Sequence, residues 1–255
     1  MRVAHNLGWG VGPMLGGFVA EAGYAWLFLL GAVTSLFSAW LVRRHVPETL
    51  GAGPQAADAA ASRGATGEAP ASATRKRRRP DWLDILDIRH DRRFLLFCGL
   101  SLLVFITMSQ WLSTLAVDAA DRLGVTTAQL GVMFGLNGFM VVALQLAVTR
   151  ALGRIGLSSA MALGSLVYAA SFLVVAFAGS YWHLLLIMGA LTLGELIVSP
   201  PSIAMVSLLA PPERVGRYMG VHGLTASFGW SAGPFVGGLL YDRWSGTPLL
   251  LWGSI

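Results

Sequence analysis

Long apolar runs divided by charged and turn residues are the feature that most limits what this chain can fold into. Each full run approaches or exceeds roughly 20 residues, the length an α-helix needs to cross a hydrocarbon core of about 30 Å. The pattern predicts an all-α, polytopic membrane protein with about seven full spans and a truncated one. The runs lie at about residues 6–22, 24–42, 93–117, 127–149, 156–178, 182–209 and 215–241, and the truncated one begins at Pro248.

Composition excludes several classes of protein. Of the 255 residues, 55% are hydrophobic and 12% are charged, whereas soluble domains carry charge on roughly a quarter of their residues. This excludes a single soluble enzyme domain. The only lysine, Lys76, lies in a basic run with no glycine before it, so a nucleotide-binding Walker A loop is absent from the sequence. No two histidines have metal-ligand spacing, and no cofactor is predicted.

One apparent enzyme motif fails on its context. Gly229-Trp230-Ser231-Ala232-Gly233 fits the G-x-S-x-G pattern of a hydrolase nucleophile. That pattern needs a strand before the serine and a later histidine, but here it lies within an apolar span and no histidine follows His222. We therefore expect a protein that is not an enzyme.

The long loop at residues 43–93 sets the predicted orientation. Placing it in the cytoplasm puts 16 of the 18 basic residues on the cytoplasmic side, as the positive-inside rule expects. Three loops, at about 118–126, 179–182 and 242–247, then face outside. The predicted location is the cell membrane.

Three regions divide the chain in this interpretation: the last two helices of an amino-terminal half (1–47), a cytoplasmic linker (48–92), and a carboxyl-terminal half that is truncated in its last helix (93–255). The linker is rich in Ala, Gly, Ser and Pro, which favours flexibility. Its basic run at 75–79 favours anionic lipid headgroups over nucleic acid. The pattern at 81–88 predicts a short amphipathic helix on the membrane surface, or simply a connector.

The chain contains an internal repeat. Residues 7–17 read Leu-Gly-Trp-Gly-Val-Gly-Pro-Met-Leu-Gly-Gly, and residues 228–238 read Phe-Gly-Trp-Ser-Ala-Gly-Pro-Phe-Val-Gly-Gly, so six of eleven positions are identical. In the predicted topology both copies run from the cytoplasm outward. They are then related by an axis along the membrane normal, a symmetry that transporters use.

The repeated spacing G-x3-G-P-x2-G-G resembles the antiporter signature of the major facilitator superfamily, which lies in helix five of its drug/proton antiporters. Helix eleven is the pseudo-symmetric partner of helix five, so the resemblance implies spans numbered five to early twelve. Similar to the same branch are Gln110-Trp111-Leu112-Ser113-Thr114-Leu115, Leu136-Asn137-Gly138 and Gly194-Glu195. The signature positions are Gly8, Gly12, Pro13, Gly16 and Gly17 in the first copy, and Gly229, Gly233, Pro234, Gly237 and Gly238 in the second, with Gly220 nine residues before Gly229.

The signature glycines recur every four residues and form a stripe along each helix, which lets two backbones approach closely. The prolines remove a backbone donor and are expected to bend the helices. Helices five and eleven are therefore expected to pack against the opposite half of the molecule through these stripes. Close packing alone and a conformational role both remain open.

Glu195 is the only acidic residue near the middle of a span. A carboxyl group in hydrocarbon is usually neutral, paired, or directed into an aqueous cavity, and such residues mark ion and substrate pathways. Glu195 is thus a candidate for handling protons or a cationic substrate, or it forms a structural hydrogen bond near Pro200-Pro201. The further candidates, which can bond either a substrate or a neighbouring helix, are Gln110, Ser113, Thr114 and Asn137.

Together these observations predict a secondary active transporter that exports small amphipathic compounds by alternating access, with protons as the expected coupling ion. Uptake of a sugar or another metabolite, and a non-transporting membrane scaffold, are the alternatives. The expected partners are the lipid bilayer, a small-molecule substrate and protons. The resemblance also implies that helices one to four are required, so we expect the 255 residues alone not to transport.

Overall fold

The computed structural model of the chain describes residues 2–46 and 88–255, with side chains from residue 8 onward. The predicted linker and most of the predicted surface helix lie outside these ranges. The described residues form helices joined by short turns, so the predicted all-α fold is confirmed there. The helices are α1 (Arg2–Ala22), α2 (Tyr24–His45), α3 (Arg92–Ser109), α4 (Thr114–Leu123), α5 (Thr127–Leu152), α6 (Leu157–Val175), α7 (Tyr181–Leu209), α8 (Val215–Trp244) and α9 (Pro248–Gly253).

Among the described residues, five segments are long and apolar enough to cross a membrane by length and composition alone: Tyr24–His45, Arg92–Leu123, Thr127–Leu152, Leu157–Val175 and Tyr181–Leu209. Helices α1 and α8 are also long enough, because 21 and 30 residues at about 1.5 Å per residue give about 32 and 45 Å. Neither of them is among the helices that are also apolar enough. Within the ranges that the structure describes, five of the seven predicted full spans are therefore supported by length and composition, and the other two by length alone.

The third predicted span differs from the structure because it is interrupted. Helix α3 ends at Ser109, a turn covers residues 110–113, and α4 then continues to Leu123, well beyond the predicted end at residue 117. Polar side chains bond a carbonyl group that the interruption frees: Ser109 Oγ and Gln110 Nε2 both donate to Ile106 O, at 2.8 and 2.9 Å. Such side chains are what make a broken helix tolerable at membrane depth.

The chain divides into two compact units, residues 23–81 and residues 1–22 with 82–255. In the first unit, the described helix α2 has no buried residue. In the second unit, α1 packs on α5, α3 on α8, and α6 on α7, and α5 also contacts α7. The largest buried side chains of this unit include Phe172, Leu184, Met188 and Trp252.

A buried ion pair fixes one end of the second unit. Asp118 is 1% exposed and accepts hydrogen bonds from Arg122 Nη2 at 2.9 Å and from Trp252 Nε1 at 3.1 Å. The same guanidinium donates to Val175 O and Ala178 O at the end of α6. One arginine therefore connects α4, α6 and α9.

Candidate functional site

A cavity of about 270 Å³ lies among α1, α5, α7, α8 and the turn between α3 and α4, and we call it the central cavity. Two of the predicted site residues line it, Glu195 from α7 and Asn137 from α5. Its other lining residues are Trp9, Trp111, Gly138, Val141 and Trp230.

The structure brings Glu195 and Asn137 into direct contact. Asn137 Nδ2 donates to Glu195 Oε2 at 3.0 Å and to Thr192 Oγ1 at 3.0 Å. The Thr192 hydroxyl in turn donates to Met188 O at 2.8 Å, which fixes its orientation on α7. Asn137 is 7% exposed and Glu195 is half-buried, so the amide is held inside the bundle and the carboxyl group reaches the cavity.

The Glu195 carboxyl group is paired with an amide and not with a cation. Among the described residues, no basic side chain forms an ion pair with it. The Asn137 amide offsets the negative charge of an ionised Glu195 only in part, whereas a proton or a cationic ligand would neutralise that charge fully. The arrangement can therefore exchange one positive species for another at a single carboxyl group.

Three tryptophans give the cavity its apolar walls. Trp111 is 4% exposed, and its ring meets Trp230 edge to face at a centroid distance of 6.5 Å. The Trp111 indole Nε1 has no hydrogen-bond partner among the described residues. Aromatic faces attract organic cations, and the buried indole N–H can donate to a ligand acceptor.

Repeat symmetry explains why two of these tryptophans meet in one cavity. Trp9 and Trp230 occupy equivalent positions of the two repeats, each directly after the first signature glycine. Sequence reasoning did not single them out as site residues, although their identity in the two copies was the signal that could have done so. Thr192 was also missed, because a hydroxyl one turn before Glu195 carries no distinctive pattern.

Gln110 and Thr114 lie outside the central cavity, in the contact between α3, α4 and α8. Gln110 is 1% exposed, and its Nε2 donates to Gly233 O at 2.9 Å as well as to Ile106 O. Thr114 Oγ1 donates to Gln110 Oε1 at 2.6 Å. Each of these groups has an internal partner at the break in the helix, and Thr114 also borders a recess outside the central cavity.

Ser113 borders a separate recess of about 290 Å³ beside Pro234 and Tyr241. Its hydroxyl donates to Ser109 O at 3.1 Å, within its own segment. The structure thus brings together two of the five predicted pathway residues, Glu195 and Asn137, and separates the other three from them.

The glycine stripe of α8 makes a close contact, but with α3 and the following turn, which belong to its own predicted half, and not with the opposite half as expected. A Cβ atom at Gly229 would lie 2.6 Å from Phe105 Cβ, one at Gly233 would overlap Ser109 Oγ, and one at Gly237 would overlap Thr114 Oγ1 and Gln110 Oε1. All three glycines are buried against α3 and the following turn. Only a residue without a side chain fits at these positions.

In α1 the expected contact is not met at Gly8 and Gly12, which are exposed and where an added Cβ atom would have no neighbour within 4 Å. Helix α1 instead meets α5 through Gly10 and Gly17. A Cβ atom at Gly10 would lie 3.3 Å from Gly138 Cα, and one at Gly17 would lie 3.1 Å from Ala128 Cα. Gly10 and Gly17 are seven residues apart and share a face, while Gly12 lies about 200° around the helix from Gly10.

The remaining signature positions are less constrained. Gly220 and Gly238 are exposed and have open space beside them, and Gly16 is half-buried. Helices α1 and α8 continue through Pro13 and Pro234 without a break in the helical assignment. The prolines therefore do not divide either helix in two.

Comparison with known proteins gives the chain a family context. A sequence profile described as Major Facilitator Superfamily matches residues 1–121 and 104–255, which together cover the whole chain. An uncharacterized MFS-type transporter of Bacillus subtilis, YttB, is 26% identical over 98% of the chain. Multidrug resistance protein MdtH of Aeromonas hydrophila is 28% identical over 61% of the chain. The chain spans 58% of the length of YttB and 41% of that of MdtH.

A solved structure shares the fold. It is a crystal structure of a POT family transporter in complex with a thioalcohol-conjugated peptide, which superposes with a TM-score of 0.56 over 92% of the chain and 51% of the other protein. The two sequences are 13% identical, so the likeness concerns the fold alone.

Proposed function

Because the chain belongs to the major facilitator superfamily, we propose that it forms part of a proton-coupled exporter of small amphipathic compounds. Transporters of this superfamily work by alternating access around a site between two halves. In our sequence interpretation, α1 belongs to the amino-terminal half and the helices from α3 onward to the carboxyl-terminal half. The central cavity, which has Trp9 of α1 on one side and Glu195 of α7 on another, then lies where the two halves meet.

The contact between Glu195 and Asn137 carries the proposal. The carboxyl group is half-buried and faces a cavity with three tryptophans, and its bond to Asn137 fixes its position. Burial makes an ionised carboxyl unfavourable unless a positive species is near. Proton binding and binding of an amphipathic cation therefore compete for the same carboxyl group, which couples export to proton entry.

The surroundings of the carboxyl group favour an amphipathic substrate. Trp9, Trp111 and Trp230 offer large apolar faces, and cation–π attraction at a desolvated site adds about 2 kcal/mol to the charge interaction. A relative's description as a multidrug resistance protein agrees with this substrate class. Uptake of a sugar or another metabolite is the alternative, and export of a cationic dye separates the two.

The predicted location in the cell membrane, with residues 43–93 in the cytoplasm, is part of the same proposal. Single cysteines at positions 66 and 245, in a Cys98→Ser background, test the orientation in intact cells. An impermeant thiol reagent should modify position 245 and leave position 66 unmodified. Modification of position 66 in intact cells would show that the orientation is the reverse of the one proposed.

Replacing Glu195 by Gln tests the coupling. The amide keeps the size and the hydrogen bond to Asn137 but cannot exchange a proton. Export of a cationic dye such as ethidium by the complete transporter, driven by a pH gradient in proteoliposomes, should therefore fall to background. Glu213→Gln is the matched control, since Glu213 is an exposed carboxylate in the turn before α8, and it should leave export unchanged. Normal export by Glu195→Gln, with normal insertion, would refute the proposed role of this carboxyl group.

A further inference from the structure

The hydroxyl group of Tyr168, on α6, is a buried donor for which the site described above has no use. Tyr168 is 3% exposed, and its hydroxyl oxygen makes no hydrogen bond with any described residue. Most buried polar side-chain atoms in proteins are hydrogen-bonded, and an exception needs an explanation. The described residues already bury this oxygen, so a residue outside them could reach it only by displacing their packing.

Close packing of α6 on α7 places the Tyr168 ring beside Glu195. A Cβ atom at Gly194, the residue before Glu195, would lie 2.7 Å from Tyr168 Cδ2 and 3.3 Å from Tyr168 Cε2, so the ring lies against the α7 backbone at this point. Cε2 is bonded to the ring carbon that carries the hydroxyl group. The phenol and the Glu195 carboxyl group are also near enough to interact electrostatically.

The Glu195 carboxyl group has acceptor capacity left for this donor. Asn137 bonds its Oε2 atom, and no described residue bonds its Oε1 atom. An ionised carboxylate has two oxygens and about four acceptor positions, and a hydrogen bond to it is stronger inside a protein than in water. A turn of the Glu195 side chain from the cavity towards α6 would therefore give the ionised carboxyl group a second donor.

Other titratable groups on the helices around α7 are engaged elsewhere. Glu195 is the only titratable residue among those that line the central cavity in the described part of the chain. His222 of α8 faces α7 at Ser202, about two turns beyond Glu195. Asp118 of α4 is paired with Arg122. Tyr168 and Asn137 are thus the donors that α6 and α5 present to this carboxyl group.

We propose that the Tyr168 hydroxyl group donates a hydrogen bond to the Glu195 carboxylate after a proton or a cation has left it, and that Tyr168 is in this way a positioning residue for the release of both. This inference rests on the proposed exchange at Glu195. The phenol keeps its own proton throughout. A bound proton removes the charge of the carboxyl group, and a bound cation draws the group back to the cavity, so only the empty, ionised state gains the bond. Tyr168 therefore lowers the affinity of Glu195 for both species.

The test measures equilibrium binding of ethidium to the complete transporter in nanodiscs as a function of pH, with binding to empty nanodiscs subtracted. Ethidium is a permanent cation, so its own charge does not change with pH. Tyr168→Phe removes the hydroxyl group and keeps the ring. Because it removes a bond of the empty, ionised state alone, it should tighten ethidium binding about tenfold where Glu195 is ionised. At acidic pH, where ethidium displaces a proton and neither state has the bond, binding should be unchanged. The pH at which the affinity changes should rise by about one unit.

Two controls show whether the effect is specific. Tyr181→Phe is the matched control, because the Tyr181 hydroxyl group on α7 is bonded to Gln129 O at 3.0 Å, and this variant should leave ethidium binding unchanged at every pH. Thermal unfolding at acidic pH should be the same for Tyr168→Phe and the wild type, because the removed hydroxyl group has no hydrogen bond to lose in that state.

The outcomes separate this inference from the proposed function. If Glu195→Gln abolishes the pH dependence of ethidium binding but Tyr168→Phe behaves as the wild type at every pH, the proposed exchange stands and the role of Tyr168 is refuted. If Glu195→Gln keeps the pH dependence of the wild type, both are refuted. Weaker binding in Tyr168→Phe, equal tightening in Tyr181→Phe, or a lower unfolding temperature of Tyr168→Phe at acidic pH would each overturn the role of Tyr168 alone.

Discussion

Helices α1 and α8 carry the two copies of one repeat, yet they pack through different faces. In α8 the glycines at 229, 233 and 237 are buried against α3 and the following turn. Gly8 and Gly12 of α1, the counterparts of the first two, face open space, and Gly16, the counterpart of the third, is half-buried. Helix α1 uses Gly10 and Gly17 against α5 instead. The two copies of the repeat share the same glycine spacing, and the neighbouring helix determines which face of each helix makes the close contact.

The partners explain the difference. Helix α5 presents its own glycines at 131, 135 and 138, so the contact with α1 joins two glycine-rich surfaces. Helix α3 presents the side chains of Phe105 and Ser109, and the following turn adds Gln110. Only the glycine face of α8 can therefore pack closely against this surface. The contact with α8 is fixed by side-chain hydrogen bonds, and the contact with α1 rests mainly on close backbone approach.

The largest expected difference between the two copies comes from a leucine at equivalent positions. A side chain at Gly233 would collide with Ser109 and come within 3.0 Å of Ile106 O, so Gly233→Leu should lower the free energy of unfolding by about 3 kcal/mol, the upper part of the range for overpacking. Gly12→Leu enters open space and should change it by less than about 0.5 kcal/mol. Unfolding in mixed micelles measures both, and equal losses would mean that both stripes are in contact.

The sequence analysis expected both stripes to be in close contact, and the reason that Gly12 is not is physical. Helix α1 has glycines at 8, 10, 12, 16 and 17, which offers two small faces, and nothing in the local sequence says which face has a partner. The long apolar helices were predictable because the length of an apolar run has one cause, the thickness of the bilayer. The use of each face depends on a helix more than 100 residues away.

The candidate site was also predictable only in part from the sequence. Glu195 and Asn137 were each identified from a polar group within an apolar span, but their contact across 58 residues required the fold. The break after Ser109 was not predicted. Gln110, Ser113 and Thr114 were expected to bond either a substrate or a neighbouring helix, and in the structure they bond carbonyl groups and one another within the break and at α8.

At a second pair of equivalent positions, the larger loss of stability should occur in α1 and not in α8. A Cβ atom at Gly17 would come 2.5 Å from Thr127 O and 3.1 Å from Ala128 Cα, both backbone atoms that cannot rotate away. Gly17→Ala should therefore lower the free energy of unfolding by about 2 kcal/mol. Gly238, its counterpart in α8, has open space, and Gly238→Ala should cause no loss. A loss at Gly238 without one at Gly17 would contradict the face assignment of both helices.

The polar contact to α8 should have a smaller effect. Gln110→Leu keeps the volume but removes the bonds to Gly233 O and Ile106 O, and it should lower the free energy of unfolding by about 1 kcal/mol, the usual net value of a hydrogen bond. Gln145→Leu is the control, because the Gln145 amide bonds Thr149 within α5. Equal effects of the two variants would show that Gln110 does not hold α8 against α3.

The smallest expected change is a gain in stability at the open face of α1. Alanine is favoured over glycine in helices by about 0.5–1 kcal/mol, and at Gly12 the added methyl group meets no atom within 4 Å. Gly12→Ala should therefore raise the free energy of unfolding by about 0.5–1 kcal/mol. If the open stripe packs against another helix during alternating access, the same variant should also slow dye export by the complete transporter in proteoliposomes. Gly238→Ala provides the comparison on α8, because it too adds a methyl group in open space. Greater stability with slower export in Gly12→Ala, and unchanged export in Gly238→Ala, would assign the conformational role to α1 alone. Lower stability in Gly12→Ala would mean that this face of α1 is already in contact.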